Sequence, residues 1–390
     1  MKILFIPSWY PYSENPYAGK FFVEQAKALA KQGIAEITLL NWGQNEFQIQ
    51  LRKPILSLKK YLRYKSSKAG YNAICQNLIE ISLPHLSWTS RLQNGNIDSL
   101  INKLELKDKP DLIHAQVTFP AGYIAWKLSR KYNIPFVITE HSGPFPFKEY
   151  LLDGVLLDIV SKPLMAANHV LAVSTHLANE IHNETGVTAK VIPNMVDTDF
   201  YLPSEEHSKN ECFRLFSLSA LTASKGIWDL LEAVNMAKQA GIRFKLYWGG
   251  DGSLRKPLQR KIDSMQLQNW ITLLGNLNPA QSLLQYQQCD CFVMPSRIES
   301  FSMVIIEALA CGKPVIATNC GGPADILSPL NGILVSKANP KALSSAINTM
   351  AETYDKYSAE AIRKDCISRF SEPVVSKMIG DIYQQCCTIV

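Results

Sequence analysis

A chain of 390 residues, 47% of them hydrophobic, exceeds the about 250–300 residues at which one core usually stops growing, so two domains are expected. The formal charge of +6 is too small to mark a nucleic-acid binder and suits anionic ligands or anionic lipid surfaces. No apolar run approaches the ~18 residues of a membrane-spanning helix, Met1 to Ile6 is too short for a secretory leader, and the nine cysteines show no C-x-x-C spacing, which together predict a cytoplasmic protein with reduced thiols and no zinc site.

Lys2 to Ile6 reads as a buried parallel strand, followed by a loop rich in turn formers that includes Gly19. Phe22, Ala26, Leu29 and Ala30 then fall at helical spacing, Gly33 ends that helix, and Ile37 to Leu40 is a second strand. This opening is a Rossmann-like start without G-x-G-x-x-G. Gly19 is readable either as a plain helix-start glycine or as a point of close backbone approach to a ligand.

Residues 45 to 108 are less regular. Seven basic residues lie between Arg52 and Lys68: Arg52, Lys53, Lys59, Lys60, Arg63, Lys65 and Lys68. Leu51, Ile55, Leu58, Tyr61 and Leu62 interleave with them at roughly helical spacing. Residues 51–68 therefore form a basic amphipathic segment, suited either to an anionic membrane surface or to packing on its own domain. Next come a strand from Asp111 to Gln116, a helix from Pro120 to Tyr132 capped by Thr118, and a strand from Pro135 to Thr139 that ends at Glu140-His141. Strand ends carry chemistry in such sheets, which makes His141 a candidate; a histidine bonded within its loop is the alternative. A helix from about Tyr150 to Ala167, the strand His169 to Val173 and a helix from Ser174 to Glu184 complete the first domain, and Pro203 to Asn210 is a polar linker.

In the second half, Cys212 to Leu221 is a strand and Ser224-Lys225-Gly226 enters a helix, so Lys225 is well placed for a diphosphate. Phe244 to Trp248 is a strand ending in Gly249-Gly250, where Gly250 permits a tight turn and close ligand approach. The stretch from Met294 to Gly322 is a strand-helix-strand unit. Ser300 or Ser302 caps its helix, Gly312 ends it, and Val315 to Ala317 is the following strand. Glu299 precedes the helix and Glu307 lies within it. Free N–H groups at the helix start, from Ser300 through Phe301 and Ser302, make an anion site beside two carboxylates. Phosphate on the former and sugar hydroxyls on the latter describe a sugar nucleotide.

Glu299 and Glu307, with Pro295-Ser296 before them and Gly312-x-Pro314-Val315 after, resemble the donor-site signature of the family 4 retaining glycosyltransferases. The resemblance implies the GT-B fold, α/β, with two Rossmann-like domains facing across a cleft. Residues 1–197 would be the acceptor-binding domain, joined by a C-terminal helix over 373–390, and residues 198–372 the nucleotide-sugar domain. Ile192-Pro193-Asn194-Met195-Val196-Asp197 is similar to the family's I-P-N-G-V-D linker start, with Met195 in place of glycine. Ser219-Ala220-Leu221 stands where the family has G-R-L, so Ala220 replaces a phosphate-clamping arginine, and Arg297 is expected to supply part of that charge.

The roles that follow from the resemblance are specific. Lys225 and the N–H groups after Glu299 would stabilise the departing diphosphate. Glu307 would hold ribose hydroxyls and Glu299 sugar hydroxyls. Gly19 would admit the diphosphate, and His141 would face the sugar from the first domain. The donor is expected to be a UDP- or GDP-sugar, with no other cofactor and, without a D-x-D motif nearby, no metal. The acceptor would be a glycan or lipid-linked hydroxyl, and the protein a monomer or homodimer. A catalytically degenerate binding subunit and a GT-B epimerase or hydrolase are the other readings.

Overall fold

The computed structural model describes residues 1–44, 46–50, 53–88, 93–104, 108–204 and 212–388. Leu51 and Arg52 of the basic segment, and 205–210 of the expected linker, lie outside the described residues. The chain divides into two compact units, one made of Met1–Val173, Ala178–Ile192 and Val375–Val390, the other of Ser174–Leu177 and Pro193–Val374.

The first unit is built on an eight-stranded sheet. In chain order it comprises β1 (Lys2–Pro7), α1 (Lys20–Lys31), β2 (Glu36–Asn41), α2 (Pro54–Ser66), β3 (Gly70–Cys75), β4 (Leu78–Ser82), α3 (Gln93–Lys103), β5 (Leu112–Gln116), α4 (Tyr123–Tyr132), β6 (Phe136–Glu140), α5 (Asp158–Ala166), β7 (His169–Ala172), α6 (Thr175–Thr185) and β8 (Lys190–Val191). The strands run in the order β8-β7-β6-β5-β1-β2-β4-β3, and all pairs are parallel except β3 with β4. Central strands buried on both faces need continuous apolar runs, and Ile3 to Ile6 supply one, each at most 1% exposed.

Three local expectations are corrected here. The irregular stretch contains the β3–β4 hairpin, closed by Asn77 at φ 61°. The helix expected from Tyr150 starts only at Asp158. Before it, Leu151–Leu152 and Val155–Leu156 form a small hairpin around Asp153 (φ 52°) and Gly154 (φ 79°), the two-residue turn that an Asp-Gly pair favours. Thr118 does not cap a helix with its side chain. Its N–H instead donates to Glu140 Oε2 at 2.8 Å, and an irregular turn over Thr118–Gly122 precedes α4.

The second unit holds a six-stranded, all-parallel sheet. Its elements are β9 (Phe213–Leu218), α7 (Ile227–Gln239), β10 (Phe244–Gly249), α8 (Arg255–Ser264), β11 (Ile271–Gly275), α9 (Pro279–Gln288), β12 (Cys291–Met294), α10 (Met303–Ala310), β13 (Val315–Asn319), α11 (Pro323–Ile326), β14 (Gly332–Ser336), α12 (Pro340–Thr353), α13 (Ala359–Phe370) and the start of α14 (Glu372–Thr388). The strand order is β11-β10-β9-β12-β13-β14, the doubly wound arrangement that reverses between β9 and β12. Leu230 and Val234 of α7, Trp248 of β10, Val293 of β12 and Ile347 of α12 meet in one core. From Val375 onward, α14 belongs to the first unit, where it buries Val375, Ile379, Ile382 and Tyr383. All nine cysteines are free thiols, and six of them are buried.

Candidate functional site

The strand order places the loop after β12 at the reversal point of the second sheet, where open α/β sheets bind ligands. Met294 ends the strand, and Pro295-Ser296 turns the chain away from it. Glu299 is then tied down by its backbone: its N–H donates to Cys320 O at 3.3 Å, and its carbonyl accepts from Gly322 N at 2.9 Å. These bonds aim its side chain at two partners. Lys225 Nζ is 2.7 Å from Glu299 Oε1, and Ser296 Oγ donates to the same oxygen at 2.8 Å. Thr318 in turn donates to the Ser296 carbonyl. Lys225 and Glu299 are only partly exposed, with side chains 28% and 16% accessible, so a ligand can still reach the pair.

Arg297 does something other than expected. Its guanidinium forks onto Asp229 of α7, with Nε and Nη2 at 2.8 and 2.7 Å from the two carboxylate oxygens. Asp229 is 7% exposed, and its hydrogen bonds raise the Arg297 pKa above its ordinary value. The Arg297 side chain is committed to a bidentate pair that fastens the loop to α7.

Ser302 sits at the N-cap of α10, but its hydroxyl makes no capping bond. It is buried, has no hydrogen-bond partner among the described residues, and holds φ at 117°. Phe301 is buried against Phe370, with rings 5.9 Å apart, so only its backbone is available to a ligand. Ser300 is half-buried in the loop before them. Glu307 lies on α10, where Tyr286 donates to its Oε2 at 2.8 Å and Tyr201 donates as well. Burial first, then the nearby carboxylate, holds both phenols above their ordinary pKa, so they stay protonated donors. A carboxylate has about four lone-pair sites, enough for these phenols and a vicinal diol. Gly250 takes φ 119°, and a Cβ there would lie 1.8 Å from Ser219 O. The chain can pass this point only as glycine.

The first unit carries the remaining candidates. Gly19 caps α1 at φ 64°, and a Cβ there would lie 2.3 Å from Trp9 O, so close packing on its own backbone already explains the glycine. His141 is 7% exposed and packs against the rings of Phe21, tilted, and Phe22, edge-on, with centroids at 5.3 and 5.0 Å. Its Nε2 donates to Gln116 Oε1 at 2.7 Å. Glu140 is buried and accepts from the backbone N–H groups of Thr118, His141 and Ser142 at 2.8 to 2.9 Å, which makes it a brace for the loop that presents His141. A cleft of about 190 Å³ near the ends of β1, β2 and β4 is lined by Tyr10, Tyr12, Asn41, Gln44, Glu46 and Phe47. Gln116, Asp229 and Tyr286 were not singled out from the sequence. Ser296 was read there with Pro295, as the place where an apolar strand breaks and as part of the family signature, but not as a partner of Glu299.

Comparison with known proteins agrees with this geometry. The family described as "Glycosyl transferases group 1" matches residues 202–365, and that described as "Glycosyltransferase Family 4" matches residues 18–200. The putative teichuronic acid biosynthesis glycosyltransferase TuaC of Bacillus subtilis is 28% identical over 365 residues, 89% of this chain and 88% of that one. Among solved structures, the sucrose-phosphate synthase of Thermosynechococcus elongatus superposes with a TM-score of 0.77 over 100% of both chains at 17% identity. Anabaena HepE in complex with UDP superposes with a TM-score of 0.71 over 99% of this chain and 100% of that one, at 20% identity. The doubly wound second unit, its reversal-point carboxylates and these two family matches together identify the chain as a member of the group 1, family 4 glycosyltransferases, with the GT-B fold.

Proposed function

We propose that this glycosyltransferase takes its sugar from a UDP- or GDP-sugar and transfers it with retention of anomeric configuration, without a metal, to a glycan or lipid-linked hydroxyl. The Lys225–Glu299 pair, 2.7 Å apart at the mouth of the second sheet, carries this reading. When a donor enters, Lys225 leaves Glu299 for the diphosphate, and Glu299 accepts from the sugar hydroxyls. The positive end of α10 adds to the charge that stabilises the leaving group. Glu307 holds the ribose. The bond from the anomeric carbon to the diphosphate oxygen breaks as the acceptor oxygen attacks from the same face, and a diphosphate oxygen takes the acceptor's proton. HepE has been crystallised with UDP and with UDP-glucose, which favours a uridine donor here. TuaC carries a name in teichuronic acid synthesis, which favours a cell-surface polysaccharide as product and work at the cytoplasmic face of the membrane.

A thermal-shift screen of UDP-, GDP- and ADP-sugars, followed by transfer assays with the stabilising donor, tests the reading. Lys225→Ala and Glu299→Ala are each expected to lower kcat by about 10²–10³-fold, the range for removing one group that stabilises developing charge. Product NMR should show the donor's anomeric configuration, and a chelator should leave the rate unchanged. Transfer that persists in the Lys225→Ala, Glu299→Ala double variant sinks the proposal. Donor binding without transfer to any acceptor would instead favour a binding subunit or a hydrolase.

A further inference from the structure

The loop from Pro295 to Glu299 is held from two sides. On one side the backbone of Glu299 bonds to Cys320 and Gly322, just after β13. On the other side the loop lies across the entrance of α7. Gly226 meets it there so closely that a Cβ would lie 1.9 Å from Pro295 O. The Arg297 N–H donates to Ser224 O at 2.8 Å. The Arg297 side chain then reaches Asp229, in the first turn of α7, through the forked pair at 2.8 and 2.7 Å. Lys225 lies between Ser224 and Gly226, so the three ties surround the residue whose Nζ stands 2.7 Å from Glu299 Oε1.

The ties do different work. The two backbone contacts set where the chain runs at Pro295 and Arg297, both at the turn before α7. The ion pair alone of the three reaches the body of the helix, and its two N–H···O bonds fix angle as well as distance. Asp229 is buried, and its place in the first turn of α7 puts a carboxylate at the positive end of the helix. The Arg297 side chain is about half-exposed, so water can solvate it if the partner is lost. Neutralising Asp229 therefore loosens the loop without stranding a charge, whereas removing the arginine would leave a buried carboxylate unpaired.

We propose that Asp229 and Arg297 are positioning residues: their ion pair anchors the loop on α7 and so sets the separation of Glu299 from Lys225 that a donor meets, with neither residue touching substrate. The kinetic consequence rests on the glycosyltransferase reading above; the anchoring of the loop does not. A reacting group displaced by about 1 Å can cost as much as ~10²-fold in rate, so a latch remote from the chemistry is enough to govern it.

The test compares the full-length protein with Asp229→Asn, Arg297→Gln, the double variant and Asp229→Glu. Amide hydrogen exchange in the peptide covering residues 295–300 should be about tenfold faster in Asp229→Asn than in the wild type, with peptides from α8 and α12 unchanged. With the donor that stabilises the wild type, Asp229→Asn is expected to lower kcat about tenfold and leave KM within about twofold, the pattern of a misplaced reacting group with substrate binding intact. Two residues acting through one contact are non-additive, so the double variant should lose no more than the worse single variant. Asp229→Glu keeps the carboxylate and should recover kcat to within about threefold of the wild type. Should Asp229→Asn fail to fold, Arg297→Lys, which keeps the charge but cannot fork, takes its place and should show the same exchange and kcat changes. Unchanged exchange at 295–300 overturns the anchor. Wild-type kcat in Asp229→Asn overturns the positioning role, as do losses that multiply in the double variant with a raised KM in Arg297→Gln, the mark of a direct contact between Arg297 and the diphosphate. A wild type that transfers sugar from no donor, with exchange changed as expected, overturns the glycosyltransferase reading while the anchor stands.

Discussion

At Ser302 the backbone adopts φ 117°, and the buried hydroxyl lacks a partner among the described residues. Both features cost stability, and glycine would remove both. Ser302→Gly is expected to stabilise the protein by about 1 kcal/mol, a rise of about 2–4 °C in Tm for units of this size. A fall in Tm on calorimetry would show that the hydroxyl has a stabilising contact. His114 sets a pH dependence. Its folded pKa of about 3 lies below the ordinary 6.5, so the unfolded chain binds a proton that the folded protein refuses. Stability is complete above about 6.5 and falls as pH drops toward 3. Melting curves from about pH 7 to about pH 5 should show the decline, with a shallower slope in His114→Asn. At this scale Glu299, Glu307 and Lys225 were legible in the sequence, because a strand, a loop and a helix start announce a ligand site locally. Asp229 and Tyr286 were not, because they lie 68 and 21 residues from Arg297 and Glu307, the side chains they hold. The Arg297–Asp229 pair was not legible for the same reason, since Asp229 sits on another helix.

Among the elements, α2 departs furthest from ordinary surface helices. Its Lys60 is buried beside Glu14 at 3.5 Å, and Arg63 pairs with Glu14 and Glu46 at 3.1 and 2.9 Å. That basic edge anchors the helix, and Ile55, Leu58 and Leu62 are left 75%, 59% and 57% exposed. The sequence left open whether the apolar stripe packs on its own domain; it points to solvent, beside the exposed Lys53, Lys59 and Lys65. Together with Lys68 these four lysines would contribute about 4 kcal/mol toward an anionic bilayer, before the apolar contribution. Leu58→Asp with Leu62→Asp is expected to abolish sedimentation with phosphatidylglycerol vesicles while leaving Tm unchanged, since neither side chain packs in the fold. Undiminished sedimentation would rule out α2 as the contact. The anchor itself is acid-sensitive. Partial burial raises the Glu46 pKa, but hydrogen bonds from Ser13 and from Arg63 outweigh it and hold the group below its ordinary value. That contribution is present above the ordinary carboxylate pKa and is lost as pH falls through the lowered one, so hydrogen exchange in α2 should rise in that acid window. Parallel strands and their helices were readable from apolar runs and helical spacing. The β3–β4 hairpin was not, because β3 is exposed along most of its length and neither strand carries a buried run.

For the whole molecule, the chain divides into two units, and Lys225, Glu299 and Glu307, proposed to hold the donor, belong to the second. A donor nucleotide at about 100 times its dissociation constant should stabilise that fold by about 2.7 kcal/mol. Exchange protection should then concentrate around Lys225, Glu299 and α10; protection confined to residues of the first unit would contradict the assignment of the donor site. The α/β architecture was legible because its periodicities are local. That α14 joins the first unit was expected only from the family resemblance, because a single amphipathic helix does not name the surface it covers. That sharing bears on any attempt to make the protein in pieces. A polypeptide ending at Ile192 would leave bare the groove that Val375, Ile379, Ile382 and Tyr383 fill, and should be recovered mainly as aggregate. Supplying residues 372–388 as a separate strand during expression should bring it back into solution.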